Sequence, residues 1–367
     1  MSHIVLDARE LRTSSGRYVE RLLHYLQQID EKNNYTVLLK PKDMDGWKPT
    51  NPNFVKLSCP YKEFSFDEQL AFAKQVRELH ADLVHFPFPQ QPMAYRGKTV
   101  TTIHDLTTLR FINPDKNLIK FKLKQRVYSH VMKRAARKSV QLLTGSNYVK
   151  DDVVKFSGVN PSKITVTYEA ADPIEAKPEA LPALQGKQYI MYVGRPTPHK
   201  NLERLIMAFS QLKSEHPDLL LVLAGKKDGN YSRVETEVQQ KGIEGVVFTD
   251  FVSDAELRWL YENCVTYVFP SLSEGFGLPG LEAMVHGAPV VSSNATCLPE
   301  IYGEAAHYFD PTDVKAMSAA INDVLTNKEL RQKLVVAGKT QAQKYSWKRT
   351  AEQTLAVYQK ALGTTKA

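Results

Sequence analysis

Two glutamates with seven residues between them, Glu274 and Glu282, bracket a glycine-rich segment and are the side chains best suited to chemistry. The apolar residues 265–269 before them predict a buried parallel strand, and the residues after Glu274 recur at helical spacing up to Gly287. A turn from a strand into a helix presents backbone N–H groups at the positive helix end, where phosphate binds. Carboxylates instead accept hydrogen bonds from hydroxyls. The pattern therefore predicts a ligand with phosphate at its middle and hydroxyls at both ends, as in a nucleotide sugar.

Two alternative roles for this segment stay open. A glutamate in the first turn of a helix commonly does no more than complement the helix dipole. In addition, Gly275, Gly277 and Gly280 match the G-x-G-x-x-G pattern of dinucleotide-binding proteins. That pattern requires an acidic residue at the end of the following strand, about 20 residues further on. Here the following strand, residues 289–293, is succeeded by an asparagine, which disfavours a dinucleotide.

Two cations follow a second predicted strand, residues 189–193. Arg195 and Lys200 lie in the loop at its carboxyl end. They could neutralise a diphosphate, Arg195 through its forked guanidinium and Lys200 as a point charge. Taken alone, they are equally typical of a solvated loop.

The first half of the chain contributes two weaker candidates. Gly16 precedes the first predicted helix, where it either lets the backbone approach a phosphate or simply forms a turn. His104 ends a predicted strand, where it either serves packing or holds a sugar hydroxyl. We find no Ser–His–Asp order and no cluster of metal-ligand spacing, so no metal site is expected.

The length and composition of the chain limit the class of protein to which it can belong. The chain has 367 residues, 43% of them hydrophobic, which is enough for two domains with separate cores. No apolar run approaches the roughly 20 residues of a membrane span, and the N-terminus lacks the pattern of a signal peptide. The three cysteines are scattered, which predicts free thiols in a reducing cytoplasm.

Strands and helices alternate along the chain, pause at a proline-rich stretch and resume. This alternation predicts an α/β protein with two doubly wound, Rossmann-like lobes and a ligand site in the cleft between them. The expected parts are an N-terminal lobe (1–172), a linker (173–187), a C-terminal lobe (188–344) and a final helix (345–367).

The positive charge of the chain is concentrated in one predicted helix, residues 117–138. The net charge is +8, and residues 101–150 hold 11 Lys and Arg against two Asp and Glu, so the remainder is close to neutral. Three interpretations stay open: a solvated helix, attraction to anionic lipid headgroups or a lipid-diphosphate acceptor, and nucleic-acid binding. A solvated helix is the plainest of the three, a peripheral membrane contact through the helix stays a candidate, and nucleic acid is not expected as a partner because no recognised nucleic-acid module accompanies the helix.

Several motifs resemble those of the retaining glycosyltransferases called group 1, or family four, whose two-lobed fold is known as GT-B. The segment from Glu274 to Glu282 resembles their E-x7-E motif. The resemblance covers nearly the whole chain, and its motifs are more specific to the family in the second lobe than in the first. It implies two facing lobes, of which the N-terminal lobe lies on the acceptor side and the C-terminal lobe binds the nucleotide sugar. The final helix is expected to cross back to the N-terminal lobe. Further matching segments are residues 102–105, 192–195, 200–201, 287–293, 298–301 and 345–347.

The resemblance also implies roles for single residues. His104 and Glu274 would be catalytic, with His104 near the reacting face of the sugar and Glu274 positioning it. Arg195 and Lys200 would bind the diphosphate, Glu282 the ribose and Val252 the base. The residues expected to bind the donor are Gly16, Arg195, Lys200, Val252, Glu274, Phe276, Gly277, Leu278 and Glu282.

The implied activity is transfer of a hexose, with mannose or rhamnose favoured, from a nucleotide diphosphate sugar to a glycan or lipid-linked acceptor. The resemblance implies retention of the anomeric configuration and no cofactor or divalent metal. Two segments depart from the family pattern: a single Gly16 follows two serines, and Tyr168-Glu-Ala-Ala-Asp172 replaces an Asn-Gly-Val motif. The alternatives are a sugar-nucleotide epimerase of similar fold and a non-catalytic protein that binds nucleotide sugar or nucleic acid.

Overall fold

The polypeptide forms two units, each built on its own parallel β-sheet. The computed structural model describes residues 1–13, 16–111 and 118–363, with the backbone alone at residues 118–120. The first unit comprises Met1–Arg110, the described part of residues 114–169 and the C-terminal residues from Ser346. The second comprises Phe111 and Ala170–Tyr345. None of the helices in the described ranges is long and apolar enough to cross a membrane.

The described residues of the first unit form seven parallel strands, and five helices precede the second unit in the chain. The strands are β1 (His3–Asp7), β2 (Asn34–Leu39), β3 (Phe54–Ser58), β4 (Leu83–Phe86), β5 (Thr99–Thr102), β6 (Gln141–Thr144) and β7 (Ile164–Val166). The helices are α1 (Arg17–Ile29), α2 (Ala73–Glu78), α3 (Thr107–Arg110), α4 (Leu118–Lys138) and α5 (Asn147–Ser157). The strand order β3-β2-β1-β4-β5-β6-β7 places β1 where the order reverses, between β2 and β4. Ligands of doubly wound sheets bind beside the carboxyl ends of strands at such a point.

The second unit repeats this plan, with six parallel strands among its described residues. The strands are β8 (Tyr189–Val193), β9 (Leu220–Ala224), β10 (Val246–Asp250), β11 (Thr266–Phe269), β12 (Val290–Ser293) and β13 (Ala306–Phe309). The helices are α6 (Leu202–Leu212), α7 (Gly229–Gln240), α8 (Asp254–Asn263), α9 (Leu278–Val285), α10 (Leu298–Tyr302), α11 (Val314–Thr326) and α12 (Lys328–Ala342). The order β10-β9-β8-β11-β12-β13 puts the reversal at β8, so the loops after β8 and β11 are neighbours.

The final helix, α13 (Trp347–Leu362), is part of the first unit and packs against α1. Trp347 and Tyr358 on this helix are buried. The Tyr358 hydroxyl lies 2.6 Å from Nδ1 of His85 on β4, and Nε2 of His85 lies 2.9 Å from the Thr102 hydroxyl. Burial, and then the nearby charge of His104, lower the pKa of His85 to about 3, so this network is held by a neutral imidazole.

The predicted pair of doubly wound, Rossmann-like sheets is confirmed. Helices α11 and α12 are separated at Asn327, whose side chain accepts from the Leu330 N–H and caps α12. A π-helical turn, Glu68–Phe72, leads directly into α2. Strands β3 and β13 and helices α3, α7 and α10 were not predicted.

Candidate functional site

An ion pair joins the two loops that flank the reversal point of the second sheet. Lys200, in the loop after β8, places Nζ 2.6 Å from Oε1 of Glu274, in the loop after β11. Both side chains are largely shielded, with 19% and 12% of their surface exposed. Two residues that lie 74 positions apart in the chain are thus brought together at the edge where a doubly wound sheet binds its ligand.

The loop after β8 is fixed by its neighbours rather than by regular structure. Gly194 has φ = 142°, and its carbonyl accepts a hydrogen bond of 2.7 Å from the Tyr231 hydroxyl. Asn201 adopts a left-handed conformation with φ = 61° and precedes α6. Its amide donates to the carbonyls of Pro270 and Pro311 at 3.0 and 2.7 Å, so it ties this loop to the end of β11.

The glycine-rich turn brings α9 close to a buried tyrosine. Gly277 caps α9 with φ = 92°, a conformation that favours glycine. The Tyr302 hydroxyl donates to the Gly277 carbonyl at 2.5 Å, and a Cβ on Gly277 or Gly280 would lie 2.5 or 2.3 Å from that hydroxyl oxygen. Leu278 begins the helix, so Pro279 occupies its second position. The glycines therefore let the N-terminus of α9 lie directly over Tyr302.

The backbone of Glu274 is also anchored. Its N–H donates to the Thr296 hydroxyl at 3.1 Å, and its carbonyl accepts from the Cys297 thiol at 3.3 Å. Phe276 is buried and packs edge-on against Tyr345, with ring centroids 5.6 Å apart. The carboxylate of Glu274 is consequently presented from a rigid turn.

Glu282 and Val252 occupy other places in the second unit. Glu282, in α9, accepts a long hydrogen bond of 3.5 Å from the Tyr261 hydroxyl on α8. Val252 is half-buried and follows β10 after the exposed Phe251. Val252 lies two residues beyond the carboxyl end of β10, whereas Glu282 is the fifth residue of α9 and lies outside its first turn.

Arg195 takes a different partner from Lys200. Its guanidinium donates to Oδ2 of Asp228 at 2.9 Å, and 64% of the Arg195 side chain is exposed. Oδ1 of Asp228 accepts from the backbone of Asn230 and Tyr231 and caps α7. Burial alone would raise the pKa of Asp228, but Arg195 and these N–H groups outweigh it and lower the pKa. The two predicted diphosphate ligands thus occupy separate ion pairs, one shielded and one exposed.

Gly16 in the first unit is required by its own loop. Its N–H donates to the Thr13 carbonyl at 2.9 Å, and its φ of −73° is open to any residue. A Cβ at this position would lie 2.1 and 2.4 Å from the carbonyl oxygens of Leu11 and Glu10. The close approach of chain to chain explains this glycine without a ligand, which favours the turn over the phosphate contact.

His104 follows β5 and is held at both ring nitrogens. Nε2 lies 3.0 Å from the Pro87 carbonyl, and Nδ1 lies 3.1 Å from Oε1 of Glu169, which is itself buried. Tyr18 packs edge-on against the ring and Phe88 lies on another side, with centroids 4.8 and 5.1 Å away. The side chain is nevertheless 22% exposed.

These partners favour a charged His104. A carbonyl can only accept a hydrogen bond, and an ionised carboxylate only accepts, so both ring nitrogens are donors. Burial opposes the charge, but the hydrogen bond and charge of Glu169 outweigh it, with help from Asp105, and raise the pKa of His104. The first unit therefore holds the His104 ring in a fixed position just after β5, among partners that favour its protonated form.

Known proteins are similar to this chain in both sequence and fold. Residues 173–341 match the family described as "Glycosyl transferases group 1", and residues 15–175 match "Glycosyltransferase Family 4". The O-antigen chain mannosyltransferase B of Escherichia coli is 34% identical over 278 residues, which cover 71% of this chain and 70% of that protein. The chain belongs to the group 1 glycosyltransferases.

Two further comparisons show how far the similarity to known proteins extends. The serotype-specific mannosyltransferase WbdA of Escherichia coli is 31% identical over 288 residues, but the match spans only 34% of that longer protein. Sucrose-phosphate synthase from Thermosynechococcus elongatus superposes with a TM-score of 0.78 over 100% of both chains at 18% identity. At that identity the likeness shows the fold alone, which is of the GT-B type.

Some residues of the site were not expected from the sequence. Asp228, Thr296 and Glu169 hold Arg195, Glu274 and His104. Asp228 was detectable in principle, because an acidic residue before Gly-Asn at a helix start is a common N-cap. Glu169 stood out only as a departure from the family pattern, and nothing in its neighbourhood pointed to a histidine 65 residues away.

Proposed function

We propose that this glycosyltransferase transfers a hexose from a nucleotide diphosphate sugar to a glycan or lipid-linked acceptor with retention of the anomeric configuration. The observation that carries the proposal is the shielded Lys200–Glu274 pair at the reversal point of the second sheet, beside the N-terminus of α9. A cation and a helix N-terminus suit a diphosphate, and a carboxylate suits sugar hydroxyls.

In this proposal the donor diphosphate lies against Lys200, Arg195 and the backbone N–H groups of Phe276, Gly277 and Leu278. The diphosphate competes with Glu274 for Lys200 and with Asp228 for Arg195, which releases Glu274 to hold the sugar hydroxyls. Glu282 binds the ribose, and Val252 lies beside the base. These groups neutralise the diphosphate without a divalent metal.

The reaction breaks the bond between the anomeric carbon and the β-phosphate oxygen and forms a bond from that carbon to the acceptor oxygen. The acceptor proton passes to the departing nucleoside diphosphate on the same face of the sugar, which gives retention. The protein contributes chiefly by stabilising the negative charge that develops on the leaving group. His104, whose ring nitrogens already donate to Pro87 and Glu169, contributes the positive charge of an imidazolium near the reacting face.

Relatives support the choice of sugar. The two Escherichia coli relatives are both named mannosyltransferases, which favours mannose, or the similar rhamnose, over glucose. One is named for the O-antigen chain, which favours a growing glycan, free or lipid-linked, as the acceptor. All three cysteines are buried free thiols, in keeping with a cytoplasmic enzyme, and α4 is the candidate for contact with the inner face of the membrane.

A thermal-shift panel of GDP-, UDP-, ADP- and dTDP-sugars tests the donor, because a ligand that binds the folded state raises Tm by mass action. The stabilising donor is then incubated with candidate acceptors, and the product is analysed by NMR. Retention requires the same anomeric configuration in donor and product. A sugar-nucleotide epimerase would convert the donor without an acceptor, and that result would contradict the proposal.

A further inference from the structure

A cationic cavity lies beside the C-terminal half of α4 in the first unit. It has a volume of about 510 Å³, and Tyr95 and His130 form part of its wall. Five cations complete the lining: Arg96, Lys133, Arg134, Arg137 and Lys138. No acidic side chain from the described part of the chain lines it. The cavity therefore gathers positive charge from two elements, α4 and the loop between β4 and β5.

None of these five cations forms a salt bridge with another residue in the ranges that the structure describes. The Arg134 guanidinium donates to the Met93 carbonyl at 3.0 Å, and Arg137 donates to the Ser157 carbonyl at 2.9 Å. Lys133 lies over the ring of Phe156 at 5.0 Å. Carbonyls and aromatic faces orient these side chains but do not cancel their charge.

Of the five cations, Lys138 has the least favourable surroundings for its charge. Its Nζ is buried and has no hydrogen-bond partner among the described residues, and it lies 5.2 Å from the centre of the Tyr95 ring. Burial, followed by the charges of Arg134 and Arg96, lowers the pKa of Lys138. A buried ammonium without a partner is unfavourable, and an anion in the cavity would relieve that cost.

The helix dipole explains only part of this cluster. Arg137 and Lys138 lie in the last turn of α4, where cations complement the negative helix end. Arg96 lies outside the helix and follows Tyr95, whose position depends on Gly97, because a Cβ there would lie 2.2 Å from the Tyr95 hydroxyl oxygen. The loop is thus shaped to bring a further cation and an aromatic wall to the helix end.

We propose that this cavity is a second anion site, which binds the phosphoryl group of a ligand other than the sugar donor. Arg96 and Arg134 offer forked donors that match phosphate oxygens, and Lys133 and Lys138 add point charges. The phosphoryl group belongs either to a lipid, as in a phospholipid headgroup or a lipid-linked phosphate, or to a soluble phosphate.

The test compares two double variants of equal charge. Arg134→Gln/Lys138→Gln removes two cavity cations, and the control Lys122→Gln/Lys124→Gln removes two exposed cations from the same helix. Each protein is sedimented with phosphatidylglycerol vesicles, and its binding of inorganic phosphate is measured by calorimetry. Phosphatidylcholine vesicles serve as the neutral reference.

We expect the cavity variant to bind at least about tenfold more weakly in one arm, while the control stays within about twofold of the wild type. Loss in the vesicle arm identifies a lipid phosphate, and loss in the calorimetric arm a soluble one. The proposal is overturned if the wild type binds in neither arm or if both variants weaken equally. Arg96→Gln, a single change in an exposed residue, replaces the cavity variant if that variant has a lowered Tm.

Discussion

The two units hold their functional side chains in different ways. In the second unit the central carboxylate, Glu274, belongs to a contiguous motif, and a helix N-terminus, a left-handed asparagine and a lysine are assembled around it. In the first unit His104 depends on Glu169, which lies 65 residues further along the chain. The two ionic contacts span similar stretches of chain, 74 and 65 positions, but only Glu274 lies in a motif that is recognisable in the sequence.

The largest effect is expected at the motif. Glu274→Ala should lower kcat by about 10²- to 10³-fold, because the proposed hold on the transferred sugar in the transition state is lost. The nucleoside diphosphate should still bind, since Glu274 does not contact phosphate in the proposal. Turnover and calorimetric nucleotide affinity measure the two effects, with Glu20→Gln on the exposed face of α1 as control. Unchanged turnover would remove the role assigned to Glu274.

The variant Lys200→Met tests whether Lys200 binds the nucleoside diphosphate or only stabilises the fold through its ion pair with Glu274. We expect weaker binding of nucleoside diphosphate by about 10- to 100-fold and a loss of about 1–3 kcal/mol in the free energy of unfolding, because the shielded Glu274 loses its partner. The double variant Lys200→Met/Glu274→Gln should recover most of the stability and none of the affinity. Recovery of affinity in the double variant would show that Lys200 serves only to pair Glu274.

The distant contact is tested by Glu169→Gln, which keeps an acceptor but removes the charge. In the wild type the raised pKa of His104 keeps the imidazolium charged above pH 6.5. The stability from this contact is therefore complete below pH 6.5 and lost as the pH rises through the raised value. In the variant the pKa should fall, so the alkaline limb of the kcat profile should move to lower pH, and the activity lost relative to the wild type should grow as the pH rises.

Lowering the pH should bring the activity of the variant back towards that of the wild type, because protonation then restores the charge of His104. NMR titration of the His104 ring measures the pKa directly. An equal loss of activity at all pH values would indicate that Glu169 supports structure alone. His85 supplies an internal reference, because its burial keeps it neutral over this range.

The smallest effect is expected at the exposed pair. Arg195→Ala should weaken nucleoside diphosphate binding by only about two- to fivefold, because an exposed cation contributes little in water. Asp228→Asn should keep the cap of α7 and free the guanidinium, so binding should be unchanged or slightly stronger. A hundredfold loss of affinity for nucleoside diphosphate in Arg195→Ala would contradict this prediction, because Arg195 would then contribute at least as much to binding as Lys200.

Most of the fold was predictable because buried parallel strands are continuous apolar runs. The two missed strands, β3 and β13, are edges of their sheets, and the polar residues Lys56 and His307 interrupt their apolar pattern. Helix α7 was missed because its sequence is largely polar. The site was predictable only in part. The motif around Glu274 was visible in the sequence, whereas Glu169 and Asn201 act through contacts with residues that lie far away in the chain.

A crystal structure of the protein soaked with a nucleotide diphosphate sugar tests the central claim most directly. We predict that the diphosphate lies within hydrogen-bond distance of Lys200 Nζ and of the backbone N–H groups at the start of α9, with a sugar hydroxyl on Glu274. A bound donor that leaves the Lys200–Glu274 pair intact, or that lies away from residues 195–200 and 274–282, would contradict it.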